Sequence, residues 1–453
     1  MQTKTIAQLI HDLHTHAVSA RHLVEQALSR IDDTAGEGTR TFMTIWRDRA
    51  RDLADHIDRH ELWRDERLPL CGIPLSVKDV FDVAGEITRA GSIAREDQPV
   101  ATADAEAVSR LRNAGAILIG RTTMSEFAFS GIGLNHHFGT PRNPWDRLTG
   151  RIPGGSSSGS AVSVADGMCT GSLASDTGGS VRAPAALCGV TGFKPTASRV
   201  LLDGVFPRSY SLDTVGPIAG TVTCCAYINA VLSARRLAPS AASVEAVEGL
   251  RLGVIEGDPV ENLAPEVAQA FSAALSRLSQ KGARLSSFAM PEIEKIRRVT
   301  SSGGISPPEA FAIHRDLIAT RPDLIDPIFL ARLRKGGEVR AADYIDALRQ
   351  RSAIMADVHA RTQSFDAILM PTCPVVAPQI SDVQHPEEFE AMSTLILQNC
   401  GFANFLDRPA LSVPIHQPAA APVGMMLIGQ HGHDDELLRL GVSVEAALSG
   451  HRL

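Results

Sequence analysis

Apolar and polar positions along the 453-residue chain follow two different periods, and each predicts a different kind of element. Near the N-terminus apolar residues return every three or four positions: Leu23, Val24, Ala27, Leu28 and Ile31 share one face after Ser19, a residue suited to starting a helix. Residues 5–33 and 40–60 are therefore predicted as two helices forming an N-terminal cap over 1–62. Farther on, short apolar runs bounded by Gly and Pro read as buried strands: LCGIPLSVKDVFDV (70–83), AGAILIGRT (114–122), RLGVIEGD (251–258), FDAILMPTCPVVAP (365–378) and PVGMMLIG (422–429). Helical patterns intervene, such as PEVAQAFSAALSRLSQKG ended by Gly282, and DDELLRLGVSVEAAL near the C-terminus. Strands alternating with helices imply an α/β core, and the absence of a repeat of 20 to 50 residues favours one continuous fold over 1–453.

Composition narrows the class. With 44% hydrophobic and 21% charged residues the chain can bury a sizeable core, and a formal charge of -7 without a Lys/Arg-rich run gives no footprint for nucleic acid or an anionic membrane. The first 31 residues lack an uninterrupted apolar segment, and no apolar run approaches the roughly 18 residues of a membrane span. Seven scattered cysteines without C-x-x-C spacing read as reduced, mostly buried thiols; Cys169 and Cys188 are expected to be inert core thiols although they lie near the site in sequence. A cytoplasmic location follows as the expectation. The cluster HDLHTH (11–16) lacks acidic or Cys partners, so neither metal nor cofactor is expected.

Candidate chemistry lies in a Gly/Ser-dense region. The stretch GGSSSGS, Gly154 to Ser160, lacks the lysine of a phosphate-binding loop, but Gly155 to Gly159 matches G-x-S-x-G. One reading is thus an α/β-hydrolase-type esterase with Ser157 as nucleophile, for which His416, His431 and His433 are scattered candidate partners. Downstream, SDTGGSVRAPA (175–185) places Gly178 and Gly179 before Ser180, and consecutive N–H groups of a tight glycine turn can converge on an oxyanion. A serine hydroxyl needs a base, and no His lies near either cluster. Lys78, closing the apolar segment GIPLSVKDVF, is the candidate; the alternative is a strand-end lysine paired with Asp79 or another carboxylate. Burial disfavours the ammonium, and a pKa lowered from about 10.4 to about 7.5 corresponds to about 4 kcal/mol.

These segments resemble the amidase signature family, serine hydrolases with a Ser-cis-Ser-Lys triad. GIPLSVKD is similar to the family's lysine segment, PGGSSSGSAVSVADG to its Gly/Ser segment and SDTGGSVRAPAALCGVTGFKPT to its nucleophile segment, in the family's order; RTTMSEFAFSG, GTPRNPWD, SLDTVGPIA, RPALSVPI and PVGMMLIGQ extend the likeness over essentially the whole chain. The resemblance implies a single α/β domain with a central twisted mixed β-sheet covered by helices on both faces, a catalytic core over 65–225, a variable substrate-pocket region over 245–365, and a C-terminal part of the core sheet over 366–453. It also implies that Ser180 is the nucleophile, Ser156 the bridging relay after a cis peptide, and Lys78 the base. The backbone N–H groups of Thr177, Gly178, Gly179 and Ser180 would form the oxyanion hole, with Ser157, Ser158, Asp176 and Arg182 in support; a purely structural Asp176–Arg182 pair is an equal reading.

The activity implied is hydrolysis of small or aryl amides through an acyl-enzyme, extending to carbamates (urethanes) and esters, by a monomer or homodimer acting on a small molecule. An alternative within the resemblance is the glutaminase subunit of a tRNA amidotransferase. Against it, Asn404 to Pro414 reads NFLDRPALSVP where that subfamily resembles NLAGLPAISVP, and Leu397 stands at the expected glutamine-binding acid. Gly220 replaces an arginine that many members carry. A catalytically silent scaffold is disfavoured, since all three triad positions are intact. Substrate-wall candidates are Phe127, Phe129, Gly131, Ile132 and Leu134, together with Val205 to Ser209 and residues 300–345; GGISPPEAFAIHRD, with Gly303, Gly304 and paired prolines, reads as a mobile loop over the pocket mouth.

Overall fold

Eleven strands join one hydrogen-bonded sheet in the computed structural model, which describes residues 4–235 and 244–449. In chain order they are β1 (Phe42–Ile45), β2 (Pro74–Lys78), β3 (Ile117–Thr122), β4 (Gly171–Asp176), β5 (Thr191–Lys194), β6 (Thr214–Ala219), β7 (Arg251–Glu256), β8 (Arg284–Ala289), β9 (Ala367–Pro371), β10 (Ala410–Pro414) and β11 (Gly424–Ile428). Their spatial order is β1-β3-β2-β4-β6-β5-β10-β11-β9-β7-β8. The sheet is mixed: β3, β2 and β4 run parallel, as do β9, β7 and β8, and antiparallel pairings link β4 through β6, β5, β10 and β11 to β9.

Both faces of the central strands are covered, which is why their apolar runs are continuous rather than alternating. Ala367 and Leu369 of β9 enter one core cluster while Ile368 and Met370 enter the other, and Met425 and Leu427 of β11 are divided in the same way from Met426 and Ile428. The period of two has a chemical consequence in β2. Leu75 and Val77 point into the first core, so Ser76 and Lys78 project to the opposite face.

Three expectations are corrected. The predicted helix over 5–33 is two helices, Ile6–His14 and Ala20–Ile31, because Ser19 accepts from His22 N as an N-cap and His16 turns the chain at φ 56°. The predicted helix over 40–60 contains β1, which pairs with β3 before the helix Arg47–His60 begins. The predicted loop at the pocket mouth is mostly helix, Ser306–Thr320, whose prolines fall in the first turn, where a missing N–H costs nothing. Gly303 and Gly304, at φ 110° and 63°, form the turn before it. Among the described residues no helix is long and apolar enough to cross a membrane.

Candidate active site

The parallel strands β2, β3 and β4 end side by side at Lys78, Thr122 and Asp176, the edge of an α/β sheet where crevices form. Lys78 is fully buried, and its Nζ lies 2.8 Å from Ser156 Oγ, 3.0 Å from Ser175 Oγ and 3.3 Å from Ser175 O. Burial lowers its pKa to about 7; Asp176 and Asp213 oppose the shift and the Arg208 charge adds to it. Asp79 does not neutralise it: that carboxylate pairs with Arg121 Nη1 at 3.1 Å and accepts from Gly91 N.

Ser156 follows a cis peptide from Gly155 and precedes the short helix Ser158–Ala165. The two serine clusters meet, as Ser157 N donates to Ser180 O at 3.3 Å. Ser157 Oγ lies 3.4 Å from Ser175 O, and Ser158 Oγ is buried without a partner. The histidines of the esterase reading are elsewhere: His431 bonds Asp407 O, His416 accepts from Val423 N and faces Gly189, and His433 is exposed. Ser180 is only 1% exposed, and its Oγ makes no hydrogen bond. The structure thus joins Lys78 to Ser156 directly and brings Ser180 to the same turn without a hydrogen bond between the two serine hydroxyls.

Asp176 holds that turn. Its carboxylate accepts from Gly179 N (2.7 Å), Val181 N (3.0 Å), Arg182 Nε and Nη2 (both 3.0 Å) and Asn404 Nδ2 (2.9 Å). Burial alone would raise its pKa, but Arg182, Lys194 and Asn404 outweigh that and hold it well below the usual carboxylate range. Arg182 also donates to Cys400 O and Asn404 Oδ1, so it is a fully paired structural cation. One expected oxyanion donor has a partner of its own: the Gly179 N–H already donates to Asp176. Gly179 has φ 129°, and a Cβ there would meet Cys400 Cβ at 2.5 Å, so glycine is required for close approach.

The expected wall residues are all buried, but they divide. Phe127 packs on His314, with ring centroids 4.3 Å apart, and on Phe206 at 6.2 Å. Phe129 lies beneath Arg208, and Gly131 leaves room for Leu397, whose Cγ would be 2.7 Å from a Cβ. Ile132 and Leu134 belong to the core of that face. Leu397 also abuts Gly179, so an apolar side chain stands where the glutaminase reading requires an acid. Sequence reasoning gave no role to Ser175 or Asp213. Ser175 lay inside the quoted cluster and Asp213 inside the quoted segment SLDTVGPIA; Asp213 accepts from Thr177 Oγ1, 36 residues away, at 2.6 Å. Gly220 lines a separate cavity with Leu9, Gln26, Met168 and Thr221, remote from these side chains. Among the described residues no group of three or more His, Cys, Asp or Glu is placed to hold a metal.

Comparison with known proteins identifies the family. The amidase family profile matches residues 22–438, and the chain belongs to the amidase signature family, hydrolases that act on carbon–nitrogen bonds. It is 33% identical to the 2-amino-5-chloromuconic acid deaminase of Comamonas testosteroni over 97% of each chain. It is 34% identical to a glutamyl-tRNA(Gln) amidotransferase subunit of Roseiflexus sp. (strain RS-1), over 96% of this chain and 94% of that one. A solved amidase structure superposes with a TM-score of 0.87 at 32% identity, covering 98% of this chain and 100% of the other.

Proposed function

We propose that this protein is a stand-alone amidohydrolase that cleaves small amides through an acyl-enzyme on Ser180, with Ser156 as proton relay and Lys78 as base. The carrying observation is the buried Lys78 Nζ at 2.8 Å from Ser156 Oγ with a pKa near 7, so that a large fraction of the amine is uncharged at neutral pH. In the proposed cycle Ser180 Oγ turns toward Ser156 and passes its proton to Lys78 through the Ser156 hydroxyl. Ser180 then attacks the carbonyl, the free N–H groups of Thr177, Gly178 and Ser180 take the oxyanion, and the proton returns to the leaving nitrogen. Water repeats the sequence on the acyl-enzyme. Because the turn recognises a carbonyl and separate walls recognise its substituents, carbamates and esters belong to the same reading.

The glutaminase-subunit reading draws support from the amidotransferase relative, but Leu397 packed on Gly131 and Gly179 gives a glutamine amino group no acid there. Seven buried, unbridged cysteines support a cytoplasmic setting. Purified protein assayed on glutamine, aliphatic amides, anilides and aryl carbamates, with Ser180→Ala as control, tests the proposal. Partner-independent amide turnover that vanishes in the variant is expected; glutamine turnover alone, or activity unchanged by the substitution, would overturn it.

A further inference from the structure

The segment 205–209 is fixed at both ends over the exit of β2. Val205 bridges Phe81 and Phe206 N donates to Val80 O at 2.7 Å, two residues beyond Lys78. Arg208 N and Ser209 N donate to Asp213 Oδ2 at 2.8 and 3.0 Å, and Asp213 Oδ1 in turn takes the Thr177 hydroxyl beside the oxyanion turn. The Ser209 and Ser211 hydroxyls both donate to the buried Glu309 carboxylate, which also receives Tyr344 Oη at 2.7 Å. The Arg208 backbone is therefore held beside the end of β2, and its charge is felt at Lys78.

Its side chain is treated differently. The Arg208 guanidinium carbon sits 4.8 Å from the Phe129 ring centroid, so one planar face is backed by an aromatic ring. Nε and Nη1 are shut off from solvent and have no hydrogen-bond partner, and the side chain has no ion pair among the described residues. Its neighbour Arg332 is engaged with Phe129 O at 2.6 Å and Glu390 at 3.1 Å, and so adds positive charge without supplying an acceptor. Arg208 is partly exposed, and Asp213 and Asp176 act on its charge without forming an ion pair with it, but two enclosed donors that meet no acceptor are costly. Such a cation becomes favourable when a planar anion presents two oxygens to its free edge.

We propose that Arg208 is the specificity residue for a carboxylate borne by the substrate, so that the preferred substrates are short amides carrying a free carboxylate, such as dicarboxylic acid monoamides. A singly charged planar anion matches one guanidinium edge. This inference rests on the hydrolase reading above.

The test compares succinamic acid with succinamide, which keeps the shape and removes the charge. Intact wild-type protein is expected to prefer the acid by about 100-fold in kcat/KM, as for a buried charge contact. Arg208→Leu is expected to bring the ratio of the two substrates close to one, and Arg208→Lys to give an intermediate ratio. A wild-type ratio near one, or a preference that survives Arg208→Leu, would overturn the inference while leaving the hydrolase reading intact. If the variant fails to fold, judged by circular dichroism, the wild-type ratio and Arg208→Lys still decide. Failure of the wild type to hydrolyse any amide would remove the hydrolase reading and this inference with it.

Discussion

The floor beneath the nucleophile turn and the wall beside it each hold an arginine, Arg182 fully buried and Arg208 partly exposed, with opposite surroundings. Arg182 has Asp176, Asn404 and the Cys400 carbonyl arranged around its guanidinium, whereas two Arg208 nitrogens meet no acceptor. A cation whose donors are satisfied from within holds structure together, and one left unsatisfied is a receptor for something that arrives. On the proposed function and the inference drawn from Arg208, the contrast separates a region that fixes chemistry from one that selects what is brought to it.

The largest expected effect tests whether chemistry belongs to the floor: Ser180→Ala should lower kcat/KM by at least about 10⁴-fold, and a smaller loss would move the nucleophile elsewhere. Lys78→Ala should cost about 10³-fold, and it also changes the pH dependence. Because the base acts uncharged, wild-type kcat/KM should rise with pH through about 7; the variant's profile should be flat across that interval. Asp176→Asn should cost about 3–5 kcal/mol in denaturant unfolding, since it leaves Arg182 buried without its counter-charge. Arg208→Leu should change stability by less than about 1 kcal/mol, or raise it, because it removes two enclosed donors that meet no acceptor. A loss as large as that from Asp176→Asn would erase the distinction between the two arginines. The smallest effect concerns amide exchange over 306–320: slow exchange suits the observed helix, and rapid exchange throughout would restore a mobile lid.

The residues proposed to carry the chemistry were legible as candidates because they sit in short local motifs: GIPLSVKD, GGSSSGS and SDTGGSV carry Lys78, Ser156 and Ser180 as contiguous text. Strands β2, β3, β7, β9 and β11 were legible as apolar runs. What escaped depended on distant contacts. β1 is four residues long between helical patterns and exists through its pairing with β3, some 75 residues on. The prolines at 307 and 308 read as loop signals, although the same residues suit a helix's first turn. Neither the occupation of Gly179 N–H by Asp176 nor the meeting of Leu397 with Gly131 and Gly179 can be read from composition, because each depends on how a turn closes in space.

Two of the three oxygens around Lys78 Nζ belong to hydroxyl groups, and a hydroxyl either gives or takes a hydrogen bond. The ammonium and the free amine can therefore both be accommodated by spinning O–H bonds, with every carbon, nitrogen and oxygen left in place. On the proposed mechanism, such a proton reservoir fills and empties on each turnover without the packing around Lys78 having to rearrange.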